Sequence, residues 1–241
     1  MNRTVILQPQ FFPWRGVFEQ IRLADVYIHL DDVALPQGRS FITRVQIKTS
    51  HGTQWLTVPV RRGPAAIRDV LTDETQGWRE THLKTLHASY SRAPYCDEML
   101  ALVSGIYALE TDSLCALNIA AIESISGYLG LHCTFLRASD FPSVNKSTER
   151  LVELSREVGT SHYLTGHGAL NYLTPEPFEA EGMAVEIIDY RRSPYPQLFE
   201  GFDPHVSILD LIANTGQKAA AYLESNSQEW REYERTREIS A

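Results

Sequence analysis

The chain lacks the cysteine patterns that build disulfide frameworks and structural zinc sites. Its three cysteines, Cys96, Cys115 and Cys133, are an odd number at wide spacing, and none forms a CxxC pair. Such a set neither cross-links a small fold nor offers zinc its usual ligand spacing. A reducing compartment fits it best, so we expect a cytoplasmic protein without a metal site.

Long apolar runs and excess positive charge are also missing. No segment approaches the roughly 20 apolar residues that a membrane-spanning helix requires, and the N-terminus has no signal-peptide pattern. The 30 Asp and Glu residues outnumber the 22 Lys and Arg residues, which leaves a formal net charge of −8 at pH 7. Because such a surface repels phosphate backbones and anionic lipids, we expect neither nucleic-acid binding nor membrane insertion.

No standard catalytic signature is present. The sequence contains no GxSxG, no P-loop, no HExxH and no GxGxxG. These motifs mark hydrolase nucleophiles, phosphate-binding loops, zinc proteases and dinucleotide sites. The chain therefore does not carry the marks of a standard hydrolase, kinase or zinc enzyme, and we expect no cofactor.

What is present begins with a β-α-β unit in the first sixty residues. The apolar run at residues 5–7 is typical of a strand buried on both faces, and Pro9 stops it. Residues 14–24 place apolar side chains near one helical face, and residues 24–30 form a second apolar strand. Polar side chains follow both strands: Gln8, Asp31 and Asp32.

The remaining pattern predicts an α/β fold. Residues 41–60 predict a hairpin, and three consecutive helices fill a helical middle over about residues 78–129. Strands and helices then alternate up to about residue 214. We therefore expect a mainly parallel sheet with an antiparallel hairpin and a helical insertion. These elements form one domain over residues 1–226, and a polar tail, helical or frayed, follows over 227–241.

Open sheets of this type bind ligands at the carboxyl ends of their strands, where Gln8, Asp31 and the pair Gly166-His167 are predicted to lie. Asp31 and Asp32 could each act as an acid or a base. The alternative is that one caps a turn while the other faces water. Adjacent strand residues point to opposite faces, so the two carboxylates are not expected to act as a close pair.

Two further candidates are Arg44 and His82. The planar guanidinium of Arg44 suits a carboxylate or a phosphate, and a structural salt bridge is the alternative. His82 lies on the apolar stripe of the first middle helix, where a packing role competes with catalysis. His167 lies between two glycines at a predicted helix start, where free N–H groups can hold an anion. Turn geometry alone could also explain those glycines.

Cys96 lies at another predicted helix start, where the helix dipole would favour its thiolate. With His82 or His167 in reach, it could serve as an acyl-accepting nucleophile. The alternative is a packing role, which we also expect for Cys115 and Cys133.

Several segments together resemble the WbqC-like family, which is met in bacterial surface-polysaccharide and secondary-metabolite gene neighbourhoods. The resemblance spans nearly the whole chain. The matching segments are LQPQFFPWRGVFEQI with ADVYIHLDDV, WLTVPV, WRETHLKTLHASYSRAPY, YLTGHGALNYL and YPQLFEGFDPHVSILDLIANTG.

The resemblance implies functional roles for the polar residues that match the family pattern. They are Gln8, Asp31, Asp32, Arg44, His82, Tyr90, Gly166, Gln197, Asp210 and Asn214. Two positions depart from that pattern: Thr43 stands where the family usually has Asn, and Cys96 where it has an aromatic residue. Cys96 is therefore either a packing variant or a trait of this protein.

The resemblance further implies an enzyme that forms an amide. An acyl or aminoacyl group would move from a carrier protein or another activated donor to a small-molecule amine such as an amino sugar. His82 or the Asp31-Asp32 region would deprotonate the amine, and Arg44 would anchor a phosphate or carboxylate. Gly166 and His167 would stabilise the oxyanion. An acyl carrier protein is a partner that this chemistry would use.

Two other functions stay open. In the first, Cys96 is the nucleophile of a thioesterase or covalent acyltransferase. In the second, the cleft binds a sugar nucleotide or a carrier protein without catalysis.

Overall fold

The computed structural model describes residues 2–36, 38, 40–61, 63 and 66–239. Within these ranges eight strands and eight α-helices are formed. The strands are β1 (Arg3–Leu7), β2 (Val26–His29), β3 (Arg44–Thr49), β4 (Gly52–Thr57), β5 (Thr134–Arg137), β6 (His162–Thr165), β7 (Ala184–Asp189) and β8 (Asn226–Glu229). The helices are α1 (Arg15–Leu23), α2 (Trp78–Tyr90), α3 (Cys96–Tyr107), α4 (Leu114–Tyr128), α5 (Ser147–Glu157), α6 (Glu176–Ala180), α7 (Ile208–Thr215) and α8 (Trp230–Ile239).

A six-stranded sheet in the order β5-β2-β1-β6-β7-β8 forms the centre of the molecule. Its first five strands are parallel, and β8 pairs antiparallel with β7. The hairpin of β3 and β4 forms a separate two-stranded sheet. The predicted α/β fold with a mainly parallel sheet and an antiparallel hairpin is thus confirmed, and the predicted helical middle is α2 to α4.

Neighbouring residues of the central strands serve two different cores, because successive side chains of a strand point to opposite faces. Val5 and Tyr27 face the larger core, which contains the hairpin and helices α1 to α4 and α7. Ile6 and Ile28 face the smaller core, which α5, α6 and α8 cover. Burial on both faces explains why the parallel strands are continuous apolar runs rather than alternating ones.

The strand order reverses beside β1. From β1 the chain adds β2 and β5 on one side of the sheet, and it then crosses to add β6 and β7 on the other side. The connection after β1 leads to one side of the sheet, and the connection after β6 leads to the other side. Where two such connections diverge, a crevice opens between the carboxyl ends of the two strands. The fold therefore places a crevice beside Gln8, Gly166 and His167.

The expected polar tail contributes more than a helix. Asn226–Glu229 pairs with β7 as β8, although these four residues show no apolar alternation. The first residue of α8, Trp230, is buried in the smaller core. The last two residues of the expected tail lie outside the described residues. Among the described helices, none is both long enough and apolar enough to cross a bilayer.

Candidate functional site

A cleft with two lobes lies at the carboxyl ends of β1, β2 and β6. The aromatic lobe has a volume of about 470 Å³, and its walls include Trp14, Gln20, His167, Tyr190, Arg192 and His205. The polar lobe has a volume of about 970 Å³, and its walls include Gln8, Asp32, Asn145, Lys146, Ser147 and Arg150. Leu7, Gln10 and Tyr172 line both lobes, so the two are adjoining parts of one cleft.

The loop between β1 and α1 is held by a buried amide. Asn118 on α4 donates from Nδ2 to the carbonyl of Pro9 at 2.9 Å and to that of Ile42 at 2.9 Å. The Phe11 amide also donates to the Phe41 carbonyl at 2.9 Å. The loop therefore carries Gln8 and Gln10 into the cleft in a conformation that α4 and the hairpin fix.

The N-terminus of α1 is covered, unlike that of a dinucleotide-binding helix. The Trp14 ring lies so close to Gly16 that a Cβ there would be 2.2 Å from Cζ2 of the indole. Trp14 also forms an antiparallel bridge with Ser207, and Ile208 donates its N–H to the Pro13 carbonyl at 2.9 Å. A phosphate therefore has no open helix end here, in agreement with the missing GxGxxG.

The two adjacent carboxylates diverge, as expected from their opposite faces. Asp31 is buried and accepts from the N–H of Ser139 at 2.9 Å and from its hydroxyl at 2.8 Å. Asp32 lines the polar lobe and pairs with Arg150 at 2.7 Å. Arg150 also donates to the carbonyls of Ala138 and Phe141, at 2.8 and 2.7 Å. Asp32 is thus available to the cleft, whereas Asp31 holds the segment after β5.

His167 lies in the aromatic lobe, two residues after the end of β6. Burial lowers the pKa of this imidazole below its usual value, and the Arg192 cation adds to the lowering of that pKa. Its ring lies 5.5 Å from the ring centre of Tyr190 and 5.8 Å from that of Tyr233. A neutral imidazole has one nitrogen that donates a hydrogen bond and one that accepts. The lowered pKa favours this neutral form, which makes His167 suitable as a base.

The sequence reasoning missed Gln20 and Tyr190, which also line the aromatic lobe. Gln20 donates from Nε2 to the hydroxyl of Tyr190 at 2.8 Å. Tyr190 directly follows β7, so the strand-end rule that selected His167 could have selected it. Gln20 lies among the buried residues of α1. A polar residue at a buried helix position could have marked it as a candidate from the sequence.

His82 lies in the core, where no substrate would reach it. Its Nδ1 is 3.0 Å from the hydroxyl of Tyr107, and its Nε2 is 3.2 Å from the carbonyl of Thr57. The rings of Phe11 and Trp78 pack against it. Burial lowers the pKa of His82 to about 4. The structure therefore corrects the expected placement of His82 at the reaction centre, because both of its nitrogens serve internal contacts.

Four residues expected to bind substrate form a buried network instead. The carboxylate of Asp210 accepts from Tyr195 at 2.8 Å, from Gln197 at 2.9 Å and from Tyr90 at 3.1 Å. Asn214 donates to the Asp210 carbonyl at 2.7 Å. Burial raises the pKa of Asp210, and the hydrogen bonds that it accepts oppose this. Within the described residues, neither lobe is lined by any of the four expected residues, which are Tyr90, Gln197, Asp210 and Asn214.

Lys48 completes this network. Its ammonium donates to Oε1 of Gln197 at 3.0 Å and to the carbonyls of Phe199 and Gly201. The backbone N–H of Lys48 donates to the Tyr90 hydroxyl at 3.1 Å. The hairpin, α2 and α7 are therefore joined by internal polar contacts.

Arg44 and Cys96 also lie outside both lobes. The Arg44 guanidinium lies 4.1 Å from the ring centre of Trp55, and the Trp55 ring contacts Phe41 at the mouth of the aromatic lobe. Cys96 begins α3, as predicted, but its side chain is buried. Burial raises the pKa of the Cys96 thiol, and Asp97 raises that pKa further. Burial and Asp97 therefore oppose the thiolate that the helix dipole is expected to favour.

No group of three or more His, Cys, Asp or Glu side chains among the described residues is placed to hold a metal ion.

A mainly parallel α/β sheet with helices on both faces and a cleft at its point of strand reversal defines a protein of the doubly wound class. Within that class the chain belongs to the WbqC-like protein family, whose model matches residues 8–222. The chain is 35% identical over 228 residues to the uncharacterised protein Rv1507c of Mycobacterium tuberculosis. The aligned region covers 92% of this chain and 98% of that relative. No solved structure matches the chain significantly.

Proposed function

We propose that this protein is a group-transfer enzyme that forms an amide. An acyl or aminoacyl group moves from a thioester or another activated donor to an amine such as an amino sugar, in surface-polysaccharide or secondary-metabolite biosynthesis. The observation that carries the proposal is the cleft, in which two lobes meet at Leu7, Gln10 and Tyr172. A reaction between two substrates needs neighbouring sites that hold the reacting atoms together.

The polar lobe suits the activated donor. Lys146 is exposed at the start of α5, and Ser147 begins the helix beside it. A cation next to the first N–H groups of a helix attracts a negatively charged group, such as the phosphate of a carrier-bound or nucleotide-linked donor. Gln8 and Asp32 lie on other walls of the same lobe and would orient the donor.

The aromatic lobe suits the amine, with His167 as the base. The amine must first lose a proton, because an ammonium ion has no lone pair with which to attack. The free imidazole nitrogen of His167 takes that proton, and the amine nitrogen then bonds to the acyl carbon. The bond between this carbon and the donor sulfur breaks, and the departing thiolate takes the extra proton from the nitrogen, so that a neutral amide and a thiol are released and one proton remains on His167. The lowered pKa of His167 favours its neutral form, and a neutral imidazole can accept this proton without first losing one.

The test of this function is turnover by a His167→Gln variant. Amino sugars serve as acceptors and acetyl and glycyl thioesters of pantetheine as donors, with released thiol as the readout. We expect His167→Gln to lower kcat by about 100-fold or more, the usual range for loss of a general base, and to leave the Tm unchanged. The matched control is His51→Gln, because His51 is exposed in the hairpin turn and lines neither lobe of the cleft.

The pH profile gives a second readout of the same proposal. The pKa of His167 lies below its usual 6.5, and only the neutral form can act as the base. Activity should therefore be lost as the pH falls through that lowered pKa, so an acid limb attributable to His167 lies below 6.5. Unchanged turnover in His167→Gln would contradict the proposal. Ligand binding without turnover for every donor would support the non-catalytic alternative instead.

A further inference from the structure

The floor of the aromatic lobe has a hydrogen-bond acceptor and a hydrogen-bond donor side by side, both without protein partners. Gln20 is 3% exposed and donates from Nε2 to the Tyr190 hydroxyl at 2.8 Å. No described residue donates to its Oε1. The hydroxyl proton of Tyr190 has no acceptor among the described residues either. Buried polar groups are normally paired, so this arrangement indicates a ligand that pairs with both.

The chemistry of this pair selects the ligand group. A carboxylate or a fully ionised phosphate only accepts hydrogen bonds and would leave Gln20 Oε1 unpaired. An ammonium only donates and would leave the Tyr190 proton unpaired. A neutral hydroxyl both donates and accepts, so it satisfies the two residues together. Leaving a buried group unpaired carries its full desolvation cost, and this makes the preference for a hydroxyl strong.

Aromatic rings surround the pair. The ring centres of Trp14 and Tyr190 are 4.9 Å apart, and those of Trp14 and His205 are 5.5 Å apart. Such rings offer apolar faces to the C–H groups of a saturated ring, while Gln20 and Tyr190 take its hydroxyl. We propose that the aromatic lobe binds a hexopyranose ring and that Gln20 and Tyr190 recognise one of its hydroxyls. This inference rests on the proposed function in that it makes the sugar the amine-bearing substrate.

Gly166 fits this assignment because a side chain at its position would disturb the pair. A Cβ on Gly166 would lie 2.9 Å from the Tyr190 hydroxyl and 3.6 Å from Nε2 of Gln20. A Cβ on Gly168, two residues along, would meet no atom within 4 Å. The two glycines therefore form a matched pair for experiment.

The test measures binding of methyl glucoside, galactoside and mannoside to the full chain by titration calorimetry and NMR. We expect at least one glycoside to bind. Gln20→Leu and Tyr190→Phe should each lower the affinity for that glycoside about tenfold, as the loss of a buried hydrogen bond predicts. Gln217→Leu is the control, because Gln217 is exposed and lines neither lobe. The monodeoxy glycoside that lacks the recognised hydroxyl should bind the wild type and both variants equally.

Gly166→Ala should lower the affinity for the glycoside as much as Tyr190→Phe does, whereas Gly168→Ala should leave that affinity unchanged. This comparison keeps the test decisive where Gln20→Leu fails to fold. The proposal is overturned if no glycoside binds, if the variants bind as the wild type does, or if pantetheine or inorganic phosphate alone shows the dependence on Gln20. Glycoside binding without any transfer would overturn the proposed reaction only. Transfer without glycoside binding would overturn only this inference.

Discussion

Two groups of candidate residues have different surroundings in this molecule. Gln8, Asp32, Gly166 and His167 line the cleft. Tyr90, Gln197, Asp210 and Asn214 form the buried network. All members of the first group lie within three residues after the end of a parallel strand, whereas members of the second group come from α2, α7 and the loop before α7. Position near the end of a parallel strand therefore separates the cleft residues from the network residues, although both groups contain members of the shared pattern.

The two regions should respond differently to mutation. A cleft residue has open space beside it, so its replacement should affect ligand binding or turnover more than folding. A residue of the network satisfies other buried groups, so its replacement leaves partners unpaired in the core. Stability and activity measurements on the same variants therefore test the comparison directly.

The largest loss of stability is expected for Asp210→Asn. The carboxylate of Asp210 now accepts hydrogen bonds from Tyr195, Gln197 and Tyr90. In the variant, the amide nitrogen of the new side chain is itself a donor and would face one or more of these donors. We expect the free energy of unfolding to fall by about 3 kcal/mol, measured by urea denaturation at pH 7. Asp140→Asn, at an exposed position, should change it by less than about 0.5 kcal/mol. Wild-type stability with lost ligand binding would restore Asp210 to the substrate-binding role that the resemblance implies.

A slightly smaller, pH-dependent effect is expected from His82. Its pKa is about 4 in the folded protein, and its usual value is 6.5. Between these values the unfolded chain takes up a proton that the folded chain does not. The contribution of His82 to the free energy of unfolding is therefore fully present above pH 6.5. It is lost as the pH falls towards 4, and the loss is at most about 3 kcal/mol.

The measurement is the difference in unfolding free energy between pH 7 and pH 4.5 for the wild type and for His82→Gln. The variant should show a smaller difference, and His51→Gln should behave as the wild type does. Equal pH dependence in wild type and His82→Gln would show that His82 is not buried as a neutral imidazole.

The smallest effect is expected for Cys96→Ala. The thiol fills space at the start of α3, so its removal should cost about 1 kcal/mol of stability, the typical value for a point mutation. Turnover should stay unchanged, and intact mass spectrometry after incubation with a thioester should detect no adduct. An acyl adduct that disappears in Cys96→Ser would instead support the covalent alternative.

Most of the fold could be predicted from the sequence because its elements have strong local signals. The continuous apolar run of β1 and the helical period of α2 required no knowledge of distant contacts. The strand β8 could not be predicted in this way. Its four residues are polar, and they become a strand only because β7 offers an open edge beside them.

The candidate site was predictable in part for the same reason. The strand-end residues Gln8, Asp32 and His167 follow from apolar runs alone. The pairing of Gln20 with Tyr190 joins residues 170 positions apart, so no local pattern contains it. The misplaced expectation for His82 has a similar cause, because its partners Thr57 and Tyr107 are contributed by other elements.

The pairing of β8 with β7 has a consequence for where this folded unit ends. The family match stops at residue 222, before β8 begins. A chain cut there would leave the backbone N–H and C=O groups of β7 open along one side, beside the apolar residues Ile187 and Ile188, and would take the Trp230 ring out of the smaller core. Open apolar edges recruit strands from other molecules, and such a fragment would be prone to aggregate. The family match therefore ends before the last strand that the stable fold needs.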